Sequence, residues 1–315
     1  MTAAALSRPE VVDDLGRWRD RMAAERAAGA RIALVPTMGA LHGGHLSLLR
    51  RARADCDLVA MTDYVNPLQF APAEDLASYP RDLERDLALA AAAGAHCVLA
   101  PTPEQMWPQP PLVTVRVGRL SETLEGRSRP GHFDGVATIV AKLLAATGPC
   151  RAYFGEKDFQ QLAIIVRLVA DLSLPADVVG CPTVRETDGL ALSSRNAYLS
   201  AEERAAAPRL YWALLAGKRA IEDEGVSEPA VVRHAMARAL AGEPRFDLDY
   251  AEVVDPATMA VPARLGGDVR LLIAARVGRT RLIDNVAAVA PAPAVAPPAT
   301  NHPEPPNASS PEGEP

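Results

Sequence analysis

Between Ile32 and Ala52 the chain changes periodicity twice, and no other stretch constrains its fold so strongly. Ile32-Ala33-Leu34-Val35 reads as a buried strand, and Pro36-Thr37-Met38-Gly39 turns the chain. His42-Gly43-Gly44-His45 then opens a helix-patterned run, Leu46 to Ala52. A strand feeding a glycine-rich turn at a helix start predicts an anion site, because free backbone N–H groups point outward and the helix dipole favours negative charge. Two histidines three apart share one face of that first turn. They add donors where phosphate charge builds up. A His-x-x-His pair is also half of a metal site, but zinc needs three or four ligands and no Cys or Asp stands beside this pair. Neither Gly-x-x-x-x-Gly-Lys-Ser/Thr nor Gly-x-Gly-x-x-Gly occurs at this corner. ATP hydrolysis of the phosphate-loop type and dinucleotide-dependent hydride transfer lose their main support.

The alternation continues along the chain. Ser7-Arg8-Pro9-Glu10 reads as a capping box, predicting a helix to about Ala28 that Gly29 ends. Strands are predicted at 58–61, 97–100, 113–117, 151–154 and 176–179, and helices near 80–93, over 134–147 and from Asp158 to about Asp171. Strands alternating with helices imply an α/β fold, a parallel sheet with helices on both faces. Ligands of such sheets bind beyond the carboxyl ends of the strands. His42, Asn66, Gln69 and Lys157 all follow predicted strands.

From about Arg185 the pattern changes. Ser200-Ala201-Glu202-Glu203 is a second capping box, Pro208 predicts a kink, and a helix spans about 228–241. Short β segments at 249–254, 269–276 and 280–287 complete a smaller α+β domain. The predicted division is therefore 1–184, 185–290 and a tail, 291–315. The tail holds nine prolines in 25 positions, too many to build a core, and is expected to be disordered.

The chain's 315 residues suffice for two domains. Its net charge of -6 argues against a nucleic-acid binder, which needs a basic footprint. No basic start precedes an apolar run, and no stretch of about 20 uncharged apolar residues offers a membrane span. Cys56, Cys97, Cys150 and Cys181 lie far apart, which reads as reduced, buried thiols in a cytoplasmic protein.

Several residues have two readings. Lys157 can reach a phosphate as a point charge, with Asp158 and Gln161 on the same helix start, or be a solvated lysine beside a cap. Asn66 and Gln69 suit a ligand carrying hydroxyls and a carboxylate, or serve the turn around Pro67. Ser193, Ser194 and Arg195 form a set of phosphate donors, or a linker. Arg127, Arg129 and His132 make a positive lip or a surface loop. Asp82 or Asp86 can hold Mg²⁺ through water, or face solvent on a helix.

Four blocks in order carry a resemblance. Pro36-Thr37-Met38-Gly39-Ala40-Leu41-His42-Gly43-Gly44-His45, Val65-Asn66-Pro67-Leu68-Gln69-Phe70, Tyr153 to Gln161, and Val184-Arg185-Glu186 through Ser193-Ser194-Arg195-Asn196 resemble the pantothenate synthetase (pantoate–β-alanine ligase) family. The resemblance implies a Rossmann-like nucleotidyltransferase domain with a smaller C-terminal α+β lid. It implies ATP with Mg²⁺, pantoate and β-alanine as substrates, a pantoyl-adenylate intermediate and a cytoplasmic homodimer. Under it, His45, His42, Lys157, Arg195 and Ser194 are catalytic, with His45 the favoured proton donor. ATP is held by Met38, Gly39, Ala40, Leu41, His42, Gly43, Gly44, His45, Gly155, Glu156, Lys157, Asp158, Val184, Leu192, Ser193, Ser194 and Arg195. Gln69, Gln161, Asn66 and Arg129 take the substrate, and Asp86 the metal. Gly43 stands where the family commonly has Glu, and Arg85 where some members have an acid. Other readings of the His-x-x-His corner are a nucleotidyltransferase acting on a phosphorylated metabolite and a nucleotide-binding module without turnover.

Overall fold

Six apolar runs pair side by side, all parallel: β1 (Glu10–Val12), β2 (Ile32–Thr37), β3 (Leu58–Asp63), β4 (Cys97–Leu99), β5 (Cys150–Gly155) and β6 (Ala176–Cys181), in the order β1-β4-β3-β2-β5-β6. The computed structural model describes residues 8–70, 76 and 79–291. Alternation along each strand sends neighbouring residues to opposite faces. Leu34 and Ala60 join the core formed with Trp18 and Met22 of α1 (Leu15–Ala27) and with later helices. Val35 and Met61 join the other core, with Leu49 of α2 (Gly43–Asp55) and Leu87 of α3 (Leu83–Ala93). Short α4 (Pro103–Met106) and α5 (Leu124–Ser128) precede α6 (His132–Thr147) and α7 (Phe159–Asp171), which pack on the first face.

The strand order reverses between β2 and β5. Connections leaving these two neighbours run to opposite faces, α2 to one and α7 to the other. This opens a crevice at their carboxyl ends, the usual ligand position in doubly wound sheets. The doubly covered parallel sheet predicted from the alternation, and the Rossmann-like domain that the resemblance implies, are thus present.

Two local expectations fail. The capping box at Ser7 to Glu10 does not start a helix, and Ser7 itself lies outside the described residues. Val11 and Val12 instead pair with Val98 and Leu99 at the sheet edge. The helix begins after Asp14, whose Oδ1 accepts the Arg17 N–H at 2.8 Å. The strand predicted over 113–117 is irregular: Val113 is 86% exposed, and the N–H groups of Val115 and Val117 go to Thr138 and Asp134 of α6 rather than to a neighbouring strand. β-Branched composition is overridden where helix side chains supply the partners. The rest of the predicted tail, 292–315, lies outside the described residues.

Pro208 separates α8 (Ala201–Ala206) from α9 (Arg209–Glu222), as its missing N–H requires. With α10 (Pro229–Leu240), α9 covers one face of an antiparallel sheet made of β7 (Phe246–Val254), β8 (Gly267–Val277) and β9 (Thr280–Ala290). The opposite face sets Tyr250, Leu272 and Ala274, with Ile283, against Leu124 and Phe159 of the first unit. All four cysteines are buried, and burial pushes the Cys97 and Cys150 thiols up to about 12.

Candidate active site

The turn after β2 is built from inside. Gly39 (φ +75°) and Ala40 (φ +50°) are both left-handed. A Cβ on Gly39 would overlap the Asp63 carboxylate, so only glycine fits there. Asp86, 1% exposed, accepts the N–H groups of Ala40 at 2.6 Å and Leu41 at 2.9 Å. Arg85 grips the same turn through the Leu41 carbonyl at 3.2 Å. His42 caps α2 by accepting the Gly44 N–H on Nδ1 at 3.1 Å, and His45 returns Nδ1 toward the His42 N–H at 3.4 Å. The backbone donors expected to face a phosphate are therefore largely engaged by Thr37, Asp86 and the two histidines. The imidazoles keep their Nε2 atoms outside these caps. With both Nδ1 atoms accepting, the neutral rings carry their protons on Nε2. Burial, then the neighbouring His42, pushes His45 down to about 3, and burial followed by Lys157 lowers His42. Burial thus keeps the His45 ring neutral near pH 7, with a proton to donate on Nε2.

Asn66 caps the 3-10 turn Pro67–Gln69 and is 1% exposed. Its Nδ2 donates to the Gly135 carbonyl at 3.1 Å and to Gln69 Oε1 at 3.2 Å. Gln69 Nε2 reaches Met38 Sδ at 2.8 Å. A Cβ on Gly135 would overlap the Leu68 carbonyl, so α6 approaches this turn only because residue 135 lacks a side chain. His132 Nδ1 lies 2.8 Å from the Gln69 carbonyl, and its Nε2 lies 2.9 Å from Arg129 Nη1. An arginine only donates and a carbonyl only accepts, so His132 bridges them as the Nδ1–H tautomer.

The β5 end carries Glu156–Asp158, a 3-10 turn leading into α7. Lys157 Nζ stands 3.9 Å from Asp158 Oδ1. Burial opposes the Asp158 charge, but Lys157, Arg195, His132 and Arg129 outweigh it and lower its pKa. Across the crevice Val184 to Leu192 forms a small hairpin, closed by the Leu192 N–H to the Val184 carbonyl at 2.9 Å. Leu192 rests on the start of α2, and a Cβ on Gly43 would lie 2.9 Å from its Cδ1.

These segments enclose one cavity of about 730 Å³. Met38, His42, Gly44 and His45 line it, as do Asn66, Gln69, Arg129, Gly155, Lys157, Asp158, Gln161, Val184, Leu192, Ser193, Ser194 and Arg195. Gly39, Ala40 and Leu41 turn away toward Asp63 and Asp86, Gly43 meets Leu192, and Glu156 pairs with Arg270 at 3.0 Å. Sequence reasoning missed Tyr79, Glu125, Arg279 and Arg281 in the wall. The available signal was three arginines, 276, 279 and 281, around the Gly278 turn of β8–β9. Six Lys or Arg side chains against two carboxylates make this cavity positive in a chain whose net charge is -6.

Asp86 has a structural task here: each of its oxygens accepts one backbone N–H from the left-handed turn at Gly39 and Ala40. Among the described residues there is no group of three or more His, Cys, Asp or Glu that could hold a metal ion.

A sequence profile described as Pantoate-beta-alanine ligase matches residues 10–287, spanning every segment of the cavity. The chain belongs to the pantoate–β-alanine ligase family. The pantothenate synthetase of Moorella thermoacetica is 50% identical over 277 residues, 88% of this chain and 98% of that relative. That of Mycolicibacterium smegmatis is 53% identical over 264 residues, 83% and 82% of the two chains. The crystal structure of the Thermus thermophilus pantothenate synthetase matches with a TM-score of 0.83 at 47% identity, covering 88% and 98%. A Francisella tularensis pantoate-β-alanine ligase, described as complexed with beta-gamma ATP and beta-alanine, matches with a TM-score of 0.72 at 30% identity, covering 88% and 97%. As a pantoate–β-alanine ligase, this chain condenses pantoate with β-alanine using ATP, giving pantothenate, AMP and pyrophosphate through pantoyl adenylate.

Proposed function

We propose that the cavity carries out both half-reactions with this division of labour. A pantoate carboxylate oxygen attacks the ATP α-phosphorus, and the bond to pyrophosphate breaks. The β-alanine amine then attacks the acyl carbon of the adenylate, loses a proton, and AMP departs. Both nucleophiles belong to substrates, so the protein positions reactants and stabilises charge. His42 and His45 donate through Nε2 to the reacting and leaving phosphate oxygens. Lys157 neutralises charge from the other side, and Ser194 and Arg195 close on the phosphates. Gln69 and Gln161 hold pantoate, supported by Asn66, and Arg129 takes a carboxylate. Met38, Gly44, Gly155, Asp158, Val184, Leu192 and Ser193 surround ATP, with residues 185–290 serving as the lid over residues 1–184. Mg²⁺ arrives as the salt of ATP, and no step relies on a resident ion.

The observation that supports this most is convergence. The imidazole pair after β2, the amide pair after β3 and the ammonium after β5 meet at one cavity at the strand reversal. Incubation with ATP, pantoate and β-alanine tests it: AMP and pantothenate should form only when all three are present, and pyrophosphate release should require pantoate. Release without pantoate would overturn the assignment. We also propose a homodimer in the cytoplasm, to be checked by sedimentation equilibrium and cell fractionation. Among the described residues no helix is long and apolar enough to cross a membrane.

A further inference from the structure

Lys157 sits on a turn that has no side-chain cap of its own, yet its backbone is held from the other domain. Asn285 of β9, 2% exposed, donates Nδ2 to the Glu156 carbonyl at 2.9 Å and to the Lys157 carbonyl at 2.8 Å. Its Oδ1 accepts Arg270 Nε at 2.7 Å. Arg270, 8% exposed, also reaches Glu156 Oε2 at 3.0 Å and lies 4.1 Å from the Phe159 ring centroid. Both hydrogens of the Asn285 amide and its oxygen are thus engaged, two of three on the Lys157 turn.

The neighbouring residue holds the opposite wall. Asp284, 4% exposed, accepts Arg185 at 2.6 and 2.9 Å, and the same guanidinium donates to the Gly189 carbonyl. That arginine roots the hairpin leading to Ser193, Ser194 and Arg195. Strand alternation separates the two clamps: Asp284 lies on the face of β9 toward α9, and Asn285 on the face toward the first unit. One dipeptide therefore spaces both cationic segments across the cavity.

We propose that Asn285, braced by Arg270, is a positioning residue for Lys157, so that the C-terminal domain sets the geometry of phosphate transfer as well as covering it. This rests on the assignment of Lys157 to the phosphates. An amide suits the task because it offers two donors to two carbonyls. A carboxylate of the same shape would keep Arg270 and turn lone pairs toward both carbonyl oxygens.

The test is a double-mutant cycle on the full chain, read as single-turnover pyrophosphate release from ATP and pantoate. Asn285→Asp and Asn285→Ala should each slow release by about tenfold or more, as small misplacements of a charge donor do. KM for β-alanine should stay unchanged. In a Lys157→Ala background the same substitutions should change the rate by less than about twofold, because effects acting through one group do not add. Multiplicative losses in that background, or loss of melting temperature with unchanged release, would overturn the inference while leaving the role of Lys157 intact. A Lys157→Ala enzyme of undiminished rate would overturn both. The near-isosteric Asn285→Asp keeps the test valid if Asn285→Ala fails to fold.

Discussion

The His42 and His45 rings lie 4.1 Å apart, each using Nδ1 on the backbone of the other's turn. The capping box that starts α2 is thus made of side chains that line the cavity, and helix formation and site assembly are one event. It also ties both rings to the neutral state, since a proton on Nδ1 would break a cap.

That linkage makes stability depend on pH with a definite sign. Unfolded histidine takes up a proton near pH 6.5, whereas native His45 waits until about 3, so native stability falls as pH drops from 6.5 toward 3. Asp63 opposes this. Burial, then Asp86, raises it to about 6, so the native state gains relative to the unfolded chain as pH falls below that value. Substitution separates the two. His45→Gln should recover up to about 2 kcal/mol relative to the parent at pH 5 compared with pH 7.5. Denaturant midpoints at the two pH values measure it, and an equal difference at both would refute the assignment.

Lys157→Ala should lower adenylate formation by about 100-fold, the scale of losing one preorganised charge donor. The melting temperature should change little, since the ammonium pairs only loosely with Asp158 at 3.9 Å. Pyrophosphate release with pantoate and ATP is the readout, and a rate near the parent's would remove Lys157 from the phosphates.

Asp86→Ala leaves the N–H groups of Ala40 and Leu41 without their acceptor in a strained, buried turn. A loss of about 1–3 kcal/mol is expected for each orphaned group, with lost activity following from the displaced histidines. Raising Mg²⁺ should not restore activity. Recovery at high Mg²⁺ would return Asp86 to the metal.

Gly135→Ala pushes a methyl group into the Leu68 carbonyl, so the Asn66–Gln69 turn must move. Overpacking of this kind costs about 1–3 kcal/mol. KM for pantoate should rise more than KM for ATP, because the displaced amides are the ones proposed to hold pantoate. Equal increases in both would contradict the division of the cavity.

Local chemistry made much of this legible. The switch from apolar run to helix pattern around Pro36–Gly39 located β2 and α2, and residues after β2, β3 and β5 line the cavity. What stayed hidden depends on contacts distant in sequence. Glu10 to Val12 match a helix start until the β4 edge supplies Val98 and Leu99. Asp86 reads as a solvated helix residue until Leu41 arrives from 45 positions away. Asn285 carries no local signal, because its partners are the carbonyls of a turn 128 residues earlier.

The four cysteines have a practical consequence. Packed inside the cores and, at Cys97 and Cys150, far from forming thiolate at neutral pH, they should ignore maleimides while the protein stays folded. A single cysteine placed at exposed Arg279 would then take a fluorophore alone, with no need to strip out the natural thiols. The wild-type chain is already a background on which movement of the β8–β9 hairpin can be watched during turnover.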